Sequence, residues 1–157
     1  MADGSVVRND GEGDAYWFLG GLYEVRLSSD ETNGAVTLMQ FTIPEGMAPP
    51  LHVHDGDETV TVLEGRARFH IGDETVELGP GAVVFFPAGT QETFEPIGQV
   101  KTLVAYTPGG IDKFFAEVGE RASTREIPPP PEGPPDFAHL AEVAERNGLR
   151  LIGPPGA

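Results

Sequence analysis

The sequence predicts an all-β domain whose sheet closes into a barrel, followed by short helices packed on its outside. Three observations carry this expectation. Short runs rich in Val, Tyr, Phe, Thr and Leu recur at regular spacing from Tyr16 to Thr107. Turns containing Gly, Pro or Asp separate them. Beyond Pro108 the apolar residues take a helical spacing instead. Many short, evenly spaced strands form sandwiches or barrels, and closure removes exposed strand edges.

The elements follow in order. Residues 1–14 are acidic, polar and glycine-rich, and read as a flexible N-terminal segment. Tyr23 to Leu27 alternates apolar and polar residues, Ser28 to Gly34 is a turn cluster, and Ala35 to Ile43 is a second strand. His52 to Leu63 is a strand region, with Glu64-Gly65 a turn. Arg66 to Ile71 and Thr75 to Leu78 flank a Gly72-Asp73 hairpin turn. Ala82 to Phe86, Gln91 to Pro96 and Gln99 to Thr107 complete the strands. Phe85, Phe86 and Phe94 are expected in the core or lining an apolar pocket. Residues 15–108 thus form the β-domain and 109–157 a helical extension. In the extension, Ile111, Phe114, Phe115 and Val118 share one helical face, and prolines between 128 and 135 form a stiff strap. A second helix runs from Phe137 to Asn147, with Asp136 as N-cap and Gly148 as its stop.

Composition narrows the function. A length of 157 residues suits one domain with its own core. There is no cysteine, so thiolate chemistry and zinc–sulfur sites are excluded. The net charge of −15, with no basic stripe, argues against nucleic acid and anionic membranes as partners. No run approaches the roughly 18 apolar residues of a membrane span. The polar start does not read as a signal peptide, so a cytoplasmic location is expected. Gly20-Gly21 and Gly109-Gly110 lack the spacing and lysine of a phosphate loop.

The chemistry concentrates at His52, His54 and Glu58. On a regular extended chain these positions share parity, so their side chains point to one face. Two imidazoles and a carboxylate on one interior face grip a divalent ion, with Mn, Fe, Co, Ni and Zn all suited. The competing reading, a polar loop with a solvated Glu58, is weakened by Pro49-Pro50 before the histidines and the aliphatic Val60, Val62 and Leu63 after Glu58. Asp55 and Asp57 read as turn residues, since the spacing of a calcium loop is absent. His70 and His139 read as surface or structural.

The spacing Gly46-(five)-His52-x-His54-(three)-Glu58-(six)-Gly65 resembles the first signature motif of the cupin superfamily at every defining position. Gly81-(five)-Pro87-x-Gly89 resembles the start of the second, but its histidine falls on Glu92 and its asparagine on Pro96. The stretch from Thr107 to Phe115, the proline-rich strap and the final helix are similar to bacterial single-domain cupins of the quercetin 2,3-dioxygenase-like group. This resemblance implies a double-stranded β-helix (jelly-roll) barrel, with His52, His54 and Glu58 as metal ligands and Glu92 in place of a third histidine.

Three roles for Glu92 stay open: a fourth ligand, an acid or base that faces the cavity off the metal, or the mark of a decayed site. In dioxygenase relatives the carboxylate matched by Glu58 binds metal or receives the substrate's proton, so Glu58 and Glu92 are the expected catalytic residues. The expected function is a metal-dependent oxygenase acting on a hydrophobic aromatic, enol or polyketide-like molecule, in a possible homodimer. A redox-neutral isomerase, cyclase or decarboxylase, and a non-catalytic binding protein, are the alternatives.

Overall fold

A computed structural model describes residues 3–153. The outer ends of the expected N-terminal segment and C-terminal extension, residues 1–2 and 154–157, lie outside the described residues. Ten strands and two helices follow one another: β1 (Ala15–Phe18), β2 (Gly21–Leu27), β3 (Thr37–Ile43), β4 (His52–His54), β5 (Asp57–Ile71), β6 (Glu74–Leu78), β7 (Val83–Phe86), β8 (Gln91–Thr107), α1 (Asp112–Val118), β9 (Glu120–Arg121), α2 (Phe137–Arg146) and β10 (Leu149–Leu151). All strands belong to one antiparallel sheet in the order β10-β4-β8-β3-β2-β1-β9, with β5 branching from β8 and carrying β6 and β7.

The sheet does not close, which corrects the expected barrel. Among the described residues β6, β7, β9 and β10 each pair with a single neighbour and keep one free edge. Two long, bent strands replace closure. β5 pairs β8 from Asp57 to Ile71, but its register shifts on both sides of Glu64. Gly65 sits there at φ 75°, where a Cβ would lie 2.1 Å from the Gln99 carbonyl oxygen. The Glu64-Gly65 turn expected from sequence is therefore a bulge that bends a continuous strand. β8 likewise runs through the expected break at residues 97–98, with Gly98 at φ 72°. The bends fold the sheet over on itself, so inner faces pack without a closed ladder. Glu74 and Glu77 on β6, and Glu120 and Arg121 on β9, place charge on strands with free edges.

Between the folded faces lies the core, where Met39, Ile43, Val62, Phe69, Val100 and Val104 are fully buried. Phe86 joins it, whereas Phe85 points outward and is 57% exposed. The expectation of a buried Phe85 fails because β7 alternates strictly: Val84 and Phe86 face in, Val83 and Phe85 face out.

In α2, Asp136 accepts from the His139 backbone N–H at 3.1 Å, so the expected N-cap is present. Leu140, Val143 and Ala144 bury its apolar stripe. β10 follows Gly148 and pairs β4 directly. α1 is not simply laid on the outside: Phe114 and Phe115 turn into the space between the sheet faces. Among the described residues no helix is long and apolar enough to cross a membrane.

Candidate metal centre

Three strands bring the polar residues together. His52 and His54 lie on β4, Glu58 near the start of β5 and Glu92 at the start of β8. The expectation that the first three share one regular strand is corrected, because Asp55 and Gly56 turn a corner between β4 and β5. They converge nonetheless: His52 is the register partner of Glu92 on β8, and β5 pairs β8 at Glu58–Tyr106. One donor atom from each of His52, His54, Glu58 and Glu92 lies within 4.8 Å of the others. An ion bonding at about 2.1 Å bridges such a span with small side-chain movements.

The contacts within the cluster are those of a coordination site. His52 Nε2 is 3.4 Å from Glu92 Oε1, and His54 Nε2 is 3.0 Å from Glu58 Oε2. Neither pair has the alignment of a hydrogen bond, and Glu58 Oε2 is buried with no hydrogen-bond partner. An orphaned carboxylate oxygen facing imidazole nitrogens is costly unless a cation lies between them. His52 Nδ1 is 2.7 Å from the Pro50 carbonyl oxygen. A carbonyl oxygen can only accept, so Nδ1 carries the hydrogen and donates to it, which leaves the Nε2 lone pair free toward the cluster. Pro49-Pro50 thus fixes both the ring and its tautomer. The donor set fits one divalent transition ion, and two carboxylates make its shell formally neutral.

The electrostatics agree. Burial, then the charge of His54, lowers the His52 pKa to about 4, so the ring is neutral and ready to ligate. Burial would raise Glu58, but contacts with Glu92 and His54 outweigh it and hold this carboxyl low. Burial and the neighbouring Glu58 push Glu92 strongly up. Without a cation the two carboxylates therefore share one proton, since both cannot ionise side by side in a dry site.

Opposite the ligands the wall is apolar. Phe18, Tyr23, Phe41, Phe114 and Phe115 surround one end of a pocket of about 70 Å³. Tyr23 stacks on Phe115 with centroids 4.8 Å apart, and Phe18 meets Phe114 edge-on at 5.6 Å. Tyr106, buried beside the site, lies 5.1 Å from the His54 ring, and burial raises its phenol well above the usual range. Tyr23, Phe41 and Tyr106 line this space, while Met39 lies in the core. Leu149 and Leu151 of β10 line it too. Sequence reasoning missed them, although their alternation after Gly148 was a signal. His70 sits on the outer side of β5 against Thr75 and Glu95, away from the pocket.

Residues 39–106 match the family model described as the cupin domain. This chain carries a cupin domain. An uncharacterised protein from Streptomyces coelicolor is 33% identical over 79 residues, half of this chain and 73% of that one. The quercetin 2,3-dioxygenase of Bacillus subtilis is 25% identical over 98% of this chain, which spans just under half (47%) of that enzyme. Among solved structures, KdgF from a Halomonas species superposes with a TM-score of 0.61 at 16% identity, covering 69% of this chain and 99% of that one. This last likeness concerns the fold alone. Relative to the cupin motifs, Glu92 stands where a ligand histidine is expected, and it faces the same ion position as His52, His54 and Glu58.

Proposed function

We propose that this cupin is a metal-dependent oxygenase for a small, apolar, enolisable or phenolic molecule. One observation carries the reading: four ligand groups, His52 half-buried and the other three buried, face one point, and the remaining wall is a ring of aromatic side chains. The alignment with a quercetin 2,3-dioxygenase along nearly the whole chain supports it. When bound, a divalent transition ion supplies a Lewis acid and, if redox-active, a route for electrons between substrate and oxygen.

The chain's own residues do the rest. His52, His54, Glu58 and Glu92 would hold the ion. Glu92, whose contact with its histidine is the longer one, takes the substrate's proton at Oε1 and so carries general-base duty. Phe115 and Tyr23 pack the apolar body and exclude water. A pocket of about 70 Å³ has room for only about five water-sized groups. A ligand the size of a flavonol enters only if the aromatic wall moves.

The adjacent carboxylates also favour a second reading, a redox-neutral proton transfer that isomerises, cyclises or decarboxylates an enolate. Oxygen uptake separates the two. Protein loaded in turn with Mn, Fe, Co and Ni is expected to consume oxygen in step with loss of a small diketone or phenol. Turnover without oxygen uptake supports the second reading and overturns the first.

A further inference from the structure

The proposed metal site is roofed by α1, and α1 is fastened by a buried polar cluster that plays no part in ligation. Asp112, at the start of α1, is buried. Its Oδ1 accepts from the Ser29 backbone N–H at 3.2 Å and from the Thr37 hydroxyl at 2.7 Å, and its Oδ2 accepts from the Ser29 hydroxyl at 3.2 Å. The same Thr37 oxygen accepts from the Gly110 N–H at 3.0 Å. These bonds cross from α1 to the start of β3 and the β2–β3 turn. Gly109 is pressed against Val36, where a Cβ would stand 2.8 Å from a backbone carbon.

A second cavity lies on the other side of this hinge. It has a volume of about 190 Å³ and runs from Asp55 to Asn147 beneath residues 108–110. It shares His54, Tyr106 and Ile111 with the metal pocket. Ile111, buried and directly before Asp112, forms part of the wall between them. Swinging α1 about Gly109-Gly110 would join the two spaces and lift Phe114 and Phe115 off the pocket. Such a swing must break the Asp112 bonds. Lys113 on the same helix pairs with Asp30 of the β2–β3 turn and Glu117 with Arg146 of α2, and both exposed pairs add little restraint.

We propose that Asp112 is a positioning residue that latches α1 over the metal pocket and thereby limits its ligands to small ones. The proposal rests on the metal-site reading above. Hydrogen bonds to a carboxylate are among the stronger ones in a protein. Losing them raises the open population of the roof, and a bulky ligand that binds only the open form associates faster in proportion.

The test uses the full chain loaded with Co(II) and two probes read by the cobalt absorption band: azide, which is smaller than the pocket of about 70 Å³, and 4-nitrocatechol, which is larger. Asp112→Ala is expected to speed 4-nitrocatechol association about tenfold or more, with azide affinity unchanged. Asp112→Asn keeps the wild-type rate, because its amide still accepts at Oδ1 and can donate to the Ser29 hydroxyl. Should Asp112→Ala not fold, the Ser29→Ala/Thr37→Val variant removes two of the three donors and is expected to accelerate binding likewise. Equal 4-nitrocatechol rates in wild type and variants, with cobalt and azide bound normally, overturn the latch alone. Failure of the wild type to take up cobalt overturns the metal reading, and the latch with it.

Discussion

His52 and Glu92 face one another as register partners across the β4–β8 ladder, with Nε2 and Oε1 3.4 Å apart and both side chains turned to the same ion position. The cross-strand pairing places this second carboxylate, which stands at the histidine position of the second motif, among the ligands. Glu92→Ala is expected to lower metal affinity by about tenfold or more, measured by competition with a calibrated chelator. Unchanged affinity would put Glu92 off the metal.

The metal-free protein carries a pH signature of the carboxylate pair. Glu92 has a folded pKa raised far above its unfolded value, so it contributes stability at low pH that is lost as pH rises. Glu58, held low, is ionised in both states above its ordinary range and is silent there. His52, lowered to about 4, opposes folding only below its unfolded value of 6.5. From pH 6.5 to 8.5 the apo-protein therefore loses stability with rising pH, by at most about 1.4 kcal/mol per unit from this group. Glu92→Gln is expected to flatten that slope in urea unfolding experiments. A slope identical in both proteins would contradict the shared proton.

The Pro50 carbonyl makes His52 a single tautomer before metal arrives. Nitrogen-15 NMR of the apo-protein at neutral pH is expected to show Nδ1 protonated and Nε2 bare. A tautomer mixture would mean that the ring is not preset.

Two glycines at similar φ separate steric from conformational need. At Gly65 a Cβ would collide with the Gln99 carbonyl, whereas at Gly98 nothing lies within 4 Å. Gly98→Ala is expected to cost about 1 kcal/mol for its left-handed backbone. Gly65→Ala adds a backbone clash and is expected to cost about 3 kcal/mol or more. Thermal melts followed by circular dichroism distinguish them, and equal costs would remove the bulge from its role in bending β5.

Much of this was legible in the sequence because it is local. The strand runs, the hairpin at Gly72-Asp73, the Asp136 cap and the spacing of His52, His54 and Glu58 all lie within a few residues of the feature they specify. The failures concern partners far along the chain. A glycine such as Gly65 reads as a turn, yet the nearby Gln99 backbone makes it a bulge within one strand. Closure depends on whether free edges on strands far apart in the sequence meet, which no local period encodes. Leu149 and Leu151 looked like a tail until β10 found β4. The roof role of Phe114 and Phe115 depends on Asp112 reaching Ser29, 83 positions away.

The most direct measurement is elemental analysis of tag-free protein beside the His52→Ala/His54→Ala variant, each as purified and after reconstitution. About one Mn, Fe, Co, Ni or Zn ion per chain, absent from the variant, is the expected result. Wild-type protein that retains no ion after exposure to each of these metals would contradict a metal centre at His52, His54, Glu58 and Glu92.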